Sequence, residues 1–264
     1  MELSLEEKEL ALKEAMVKKH AVLEDQRKKR LAQEKMNEWQ RPWTPNELYS
    51  FAQKRATEIV RGETGRPDLV FEPLKYQQNP ITALSLYFTE APEFEDLPAN
   101  EYNTTGLKFS LQKGLWLWSN PGCGKTLMMI MFSRNKRLCY RVVQCPKIVA
   151  GYVKSGDDHI SHYSRIVKPD AKSFDNFFQE ETGICYNDLG TETLQAKHYG
   201  TPINVMENIL LDTYEARVPF FHRHVTTNLT FDQIKEKYGV RITDRIKQCF
   251  NVIEIKGESV RGKY

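Results

Sequence analysis

The sequence predicts an α/β fold, a parallel sheet between helical layers, preceded by a helical N-terminal region. Three observations predict it. From Gly106 onward, short apolar runs alternate with helical segments, the pattern of a parallel sheet with crossover helices. One of those runs, Gly114-Leu-Trp-Leu-Trp118, leads through a glycine-bearing loop directly into a helical stretch. The first glycine of the chain is Gly62 and the first proline Pro42, so residues 2–41 carry no backbone breaker and are rich in good helix formers. Composition narrows the function classes. Lys+Arg 38 against Asp+Glu 35 gives a net charge of +3, which excludes a strongly basic nucleic-acid coat protein; any DNA contact must come from local patches. Five cysteines without a C-x-x-C pair argue against a disulfide framework or a zinc site. The acidic opening and the short longest apolar run, Leu127 to Phe132, predict a cytoplasmic protein without a membrane span.

The elements follow in order. The first 40 residues hold nine acidic and nine basic residues, and Leu5, Leu12, Met16 and Leu23 fall on one helical face interrupted by Glu9 and Lys19. A long solvated helix fits this pattern better than a coiled coil, because heptads are not sustained. Two uses are open for it, a partner-docking arm or a passive extension. Thr44 caps a second helix with Pro45 in its first turn, running to about Arg61, so that residues 1–61 form a charged helical arm. Residues 62–105 contain five of the 12 prolines and read as a wrapped linker around a short helix near Ile81 to Phe88. The α/β domain occupies 106–264.

Strand, tight loop and helix meet at Ser119-Asn-Pro-Gly-Cys-Gly-Lys-Thr126, followed by a helix from about Leu127 to Lys136. This is the phosphate-binding loop G-x-x-x-x-G-K-[ST], with Ser119 in place of the first glycine. Gly122 and Gly124 can take positive φ, which turns successive N–H groups inward as an anion nest, and the helix dipole points at the same phosphates. The phosphate-site residues are Ser119, Asn120, Pro121, Gly122, Cys123, Gly124, Lys125, Thr126 and Leu127. Lys125 would reach the β and γ oxygens, and the Thr126 hydroxyl would ligate Mg²⁺.

Such a site needs a carboxylate at the tip of a neighbouring strand. The candidate is Ile184-Cys-Tyr-Asn187-Asp188-Leu-Gly190, in which an amide stands where the first carboxylate is usual. Either Asp188 takes the metal role in a shifted register, or Asn187 occupies the position and hydrolysis is weak while ATP still binds. The strand period favours the second. Further on, the strand Phe220 to Val225 ends in Thr226-Thr227-Asn228, which either contacts the γ-phosphate or simply ends a strand. Arg241 and Arg245 lie four apart on one helical face, the spacing of surface ion pairs; arginine is also what a transition-state finger requires.

Taken in this order, the motifs Gly122-Cys-Gly-Lys-Thr126, Asp188-Leu-Gly190, Thr227-Asn228, Asp244-Arg245 and Gly257-Glu-Ser-Val-Arg261 give the stretch from about Gly114 to Arg261 a resemblance to the DnaC/IstB-like branch of the AAA+ ATPases. That branch includes bacterial and phage helicase loaders and ATPase helpers of transposition. The resemblance implies an AAA+ three-layer sandwich, an ATPase, and ATP with Mg²⁺ as ligands. It makes Lys125 and Thr126 the Walker A pair and Asn187 and Asp188 the Walker B pair, with Thr126, Asn187 and Asp188 around the metal. Asn228 becomes sensor 1 and Arg245 a finger acting on the next subunit's ATP, with Arg241 a second trans or structural arginine. The catalytic set is then Lys125, Asp188, Asn228 and Arg245, completed in a ring or spiral homo-oligomer. It also implies single-stranded DNA on the segment Tyr152 to Lys168, through Lys154, Tyr163, Arg165 and Lys168; an ordinary surface helix pair reads the same residues equally well. The implied role is loading a replicative hexameric helicase on single-stranded DNA, with hydrolysis releasing the partner and the N-terminal arm docking it. Two alternatives stand beside it: an IstB-type transposition helper on duplex DNA, and a nucleotide-gated binding protein with weak hydrolysis because of Asn187.

Overall fold

A computed structural model describes residues 16, 18–32, 34, 42–103, 105–165, 183–200 and 202–259. The chain divides into two units, Met1–Pro42 and Trp43–Tyr264. In the first, α1 (residues 18–32) is a solvated helix, with ion pairs Asp25–Lys29 at 2.8 Å and Arg30–Glu34 at 3.6 Å at i,i+4 spacing. Met16 and Leu23 of the expected stripe are exposed; Leu5 and Leu12 lie outside the described residues.

The second unit begins one helix earlier than expected. Helix α2 (Pro45–Thr64) starts with a reciprocal cap, in which the Thr44 hydroxyl accepts from Glu47 N and the Glu47 carboxylate accepts from Thr44 N. It buries Leu48, Ala52, Ala56 and Val60, spaced four apart, in the same core as the sheet. The boundary therefore falls before Trp43 and not after Arg61. The proline-rich segment is likewise no external wrap. It forms α3 (Lys75–Phe88), longer than the helix expected at Ile81 and continuous through Pro80, then a 3₁₀ turn and α4 (Ala99–Tyr102). Its Phe71, Leu84, Tyr87, Phe88, Phe94 and Tyr102 all enter that core. Apolar burial outweighs the backbone hydrogen bond that Pro80 cannot make.

Five strands, β1 (Gly114–Trp118), β2 (Tyr140–Gln144), β3 (Gly183–Leu189), β4 (Arg223–Thr227) and β5 (Phe250–Glu254), form one sheet in the order β2-β3-β4-β1-β5, and every pair is parallel. Strand β4 starts three residues later than expected, because Phe220–His222 is a 3₁₀ turn. Alternation splits the strand side chains between two cores. Leu115, Leu117, Cys185 and Ile253 pack with α2, α3 and α5 (Lys125–Phe132); Trp116, Tyr186, Val225 and Val252 pack with the opposite layer. That layer consists of α6 (Cys145–Ser155), α7 (Asp157–Ser164), α8 (Val205–Glu215) and α9 (Phe231–Cys249). The result is the three-layer α/β sandwich that the sequence predicts. Helix α5 ends at Phe132, earlier than the expected Lys136, and α9 kinks at Gly239, which has φ 82°.

Candidate functional site

The site sits at the carboxyl end of β1, between its neighbours β4 and β5, where an open parallel sheet offers a crevice. Gly122 (φ 86°) and Gly124 (φ 92°) both take the left-handed conformation, and Gly124 delivers the chain into α5. The loop is braced from behind. Gln77 on α3, itself buried, accepts from Leu74 N at 2.9 Å and donates Nε2–H to Cys123 O at 3.1 Å. The Cys123 thiol donates to Gly257 O at 3.0 Å, and the Tyr76 hydroxyl donates to Glu258 O at 2.9 Å, so the segment after β5 lies against the loop. Arg261 of the closing motif lies outside the described residues.

Lys125 is 5% exposed, and its Nζ donates to Asn228 Oδ1 at 2.6 Å, Ser119 Oγ at 2.8 Å, and the carbonyls of Ser119 and Asn120 at 3.2 Å. Ser119, the departure from the glycine pattern, thus supplies an acceptor that glycine lacks. Asn228 is brought to the lysine because β4 is the immediate neighbour of β1, in register from Leu115 to Trp118.

A second cluster meets the first at Thr126. Its hydroxyl donates to Asn187 Oδ1 at 3.0 Å, the same oxygen accepts from Thr226 Oγ1 at 2.8 Å, and Asn187 Nδ2 donates to Asp188 Oδ2 at 3.0 Å. Asn187 is fully buried. The β3–β4 register slips between Tyr186 and Leu189, and Asp188 has φ 57°, a strained value for a residue with a Cβ. The turn is held by Asp188 N–H donating to Thr226 Oγ1 at 2.9 Å and Thr191 Oγ1 donating to Asp188 O at 2.7 Å. Asn187, and not Asp188, therefore touches the Thr126 hydroxyl, and Asp188 faces the open cleft beside Thr191 and Asn228. A hydroxyl, an amide oxygen and one carboxylate are hard oxygen donors of the kind Mg²⁺ takes together with water and phosphate oxygens. The residues present suit that ion with one negative charge fewer than usual.

Behind this cluster the fully buried Thr227 donates to Leu189 O at 2.7 Å. Glu192 accepts from Gly190 N at 2.8 Å and from the Tyr238 hydroxyl in a short contact. Burial first, and the Glu192 charge second, raise the Tyr238 phenol above its ordinary range. Gln77 and Glu192 escaped the sequence reading, and Thr226, marked there only as part of the polar strand tip, binds Asn187 and Asp188. Gln77 is 46 positions from its partner in the loop.

The remaining predicted residues lie elsewhere. Arg241 pairs with Glu215 at 3.0 Å on an exposed surface. The Arg245 guanidinium stacks 3.7 Å above the Tyr214 ring and donates to Gln248 at 2.8 Å. The pocket it lines shares no residue with the cleft of Lys125. On α6 and α7, Lys154 is exposed, while Tyr163 is half-buried, flanked by the rings of His159 and His162. Burial lowers both histidines below the usual imidazole range, and the Arg141 charge adds to the shift at His162. Arg165 is exposed at the end of α7, its carbonyl accepting from Arg223 at 2.9 Å. Lys168 lies outside the described residues. Among the described residues no helix is long and apolar enough to cross a membrane.

No protein-family model matches the chain, and no curated protein does either. Solved structures do resemble it in fold. The DnaC helicase loader is 14% identical, with 70% of this chain and 94% of that one covered at a TM-score of 0.43. DnaI is 17% identical over 72% and 90% with a TM-score of 0.44, and the FIGL-1 AAA domain is 12% identical over 69% and 52% with a TM-score of 0.37. At these identities the similarity concerns the fold alone.

Proposed function

We propose that this chain is a nucleotide-gated AAA+ ATPase of the helicase-loader type, with attenuated hydrolysis. The observation that carries the nucleotide reading is the convergence of Lys125 and Asn228 at a left-handed glycine nest, with Thr126 tied to Asn187 next to it. The cleft around these groups has a volume of about 520 Å³, within the range of sites that enclose a nucleotide-sized ligand. On this reading an incoming triphosphate takes the place of Ser119 and Asn120 as partner of the Lys125 ammonium, and Asn228 stays beside the γ-phosphate. Thr126 and Asn187 would hold Mg²⁺ with Asp188 outside them, and the ion would neutralise phosphate charge. Asp188 is then placed to orient water. Asn187 leaves the ion short of a charge, which supports slow turnover over rapid cycling.

The rest of the reading comes from the motif order and from the location of Arg245. Its guanidinium lines a pocket separate from the cleft of Lys125, which supports action on a neighbouring subunit and hence a ring or spiral. The helical arm docks the replicative helicase, and α6 and α7 carry single-stranded DNA.

The test has three parts. Calorimetry with Mg·ATP should show binding that Lys125→Ala abolishes; equal binding by both proteins would remove the nucleotide reading. Mixing Lys125→Ala with Arg245→Ala should restore phosphate release that neither shows alone, and failure to do so removes the trans finger. Pull-down of a hexameric replicative helicase should depend on residues 1–41. Capture by the shortened chain at full strength would move the docking site into the second unit.

A further inference from the structure

A buried acid joins two places that the phosphate chemistry keeps apart, the strand tip at Asp188 and the arginines of α9. Glu192 is 7% exposed; its Oε2 accepts from Gly190 N at 2.8 Å and its Oε1 accepts from the Tyr238 hydroxyl. Beside it, Lys237 Nζ donates to Gly190 O at 3.1 Å. Both backbone groups of Gly190 are therefore tied to the last two residues of the first half of α9. The next residue is a pivot. Gly239 has φ 82° and ψ 167°, a combination essentially confined to glycine, and it divides α9 into 231–238 and 240–249. A Cβ at this position would meet nothing within 4 Å, so the backbone conformation calls for glycine and packing does not. Beyond the pivot, Arg241 and Arg245 rest on the end of α8, against Glu215 and Tyr214.

We propose that Glu192 is a positioning residue: through Tyr238 it sets the bend at Gly239, and with it the direction in which α9 presents Arg245 to a neighbouring subunit. This rests on the reading of Arg245 as a finger acting in trans. Taking a carboxylate into a core costs solvation that an apolar side chain of the same size would not lose. A carboxylate, unlike an apolar group, offers two acceptor oxygens, here one for an N–H of the strand-tip turn and one for a hydroxyl of α9. The same turn borders the cleft through Asp188 and Thr191. Occupancy of one subunit's cleft therefore bears on where that subunit's own arginine points, and the link runs through side chains that touch neither phosphate nor metal.

Mixing full-length Lys125→Ala and Arg245→Ala chains tests this, because the first then donates the arginine and the second supplies the working site. Tyr238→Phe, which removes one hydroxyl, should cut the restored phosphate release about tenfold when placed in the Lys125→Ala chain, and leave it unchanged in the Arg245→Ala chain. Gly239→Ala, which draws the backbone toward a straight helix, should show the same asymmetry. Glu192→Gln, which keeps an acceptor for Tyr238, should lose less than Glu192→Leu in the donor chain. Calorimetry on the chain carrying Tyr238→Phe alone should return the parent affinity for Mg·ATP. Equal losses from the two placements would mark a contact that only supports the fold, and full release with Tyr238→Phe in the donor would remove the coupling; either result overturns the proposal and leaves the trans finger standing. If the Lys125→Ala and Arg245→Ala pair restores nothing without further changes, the trans finger fails and this proposal fails with it.

Discussion

Substituting Asn187 by aspartate changes one atom in a fully buried side chain and should have opposite effects with and without nucleotide. The hydroxyls of Thr126 and Thr226 would still donate to the remaining oxygen, at 3.0 and 2.8 Å. The 3.0 Å bond from Asn187 Nδ2 to the Asp188 carboxylate would become an oxygen–oxygen contact between like charges. Losing a hydrogen bond to a charged acceptor costs about 1.5–3 kcal/mol. Repulsion at that range adds up to about 5–6 kcal/mol at an effective dielectric of 20, reduced because Asp188 is partly exposed and because one carboxyl of the pair can take up a proton. A net loss of about 2–4 kcal/mol in N187D corresponds to a fall of about 5–15 °C in Tm for a unit of this size. Mg·ATP reverses the sign, since the added charge then faces a divalent ion. The rise in Tm on adding Mg·ATP should exceed that of the parent, and phosphate release should increase. The assays are thermal unfolding in EDTA and in Mg·ATP, and phosphate release at saturating ATP. An unchanged Tm in EDTA would refute the buried contact with Asp188, and unchanged turnover would refute Asn187 as the cause of slow hydrolysis.

Three further outcomes are expected. His224, fully buried on β4 between Tyr87, Phe88 and Tyr140, is held well below the usual imidazole range by desolvation, with Arg137 and Arg223 adding to the shift. Because its folded pKa is depressed, its contribution is present above about pH 6.5 and is lost as pH falls toward the folded value, so His224→Phe should flatten the Tm-against-pH slope below pH 6.5; an unaltered slope contradicts this. Gly122→Ala would put a Cβ 2.1 Å from Ser259 Oγ at a positive φ, which alone costs about 1–2 kcal/mol; ATP affinity should fall about tenfold or more, and calorimetry showing parent-like binding would count against the nest geometry. All five cysteines are free and buried, with burial pushing Cys249 up to about 12 and Cys145 and Cys185 well above the ordinary thiol range; native protein should react slowly with an aromatic disulfide reagent at pH 8, and a rapid stoichiometric burst would contradict that.

The phosphate loop was legible because its chemistry is local. Glycines with positive φ, a lysine and a hydroxyl must follow one another within a few residues, and they do. The Thr44 cap was legible for the same reason. What failed depended on distance. Helix α2 carries Glu47, Lys54, Arg55, Glu58, Arg61 and Glu63, and its buried stripe is half alanine, so composition grouped it with the charged arm although it packs on α5. Pro80 suggested a break, yet the aromatic residues after it tie α3 to the core. The partners of Asn187 come from α5 and β4, and no spacing rule connects Thr126 to Thr226. Sequence pattern marked the strand tip as polar, and its period favoured Asn187 at the metal position; the left-handed turn at Asp188, set by cross-strand bonding, was not legible.

The strand order has a consequence for how the chain is made. Strand β1 pairs with β4 on one side and β5 on the other, and both lie roughly a hundred residues or more further along. As the chain leaves the ribosome, Leu115, Trp116 and Leu117 therefore wait without a strand neighbour until β4 has been synthesised, and Asn228 reaches Lys125 only then. Nucleotide can select only chains in which β4 has already been made and has paired with β1. Until then the Gly114–Trp118 strand keeps both edges unpaired, which is an exposure to edge-to-edge aggregation that a chaperone would have reason to cover.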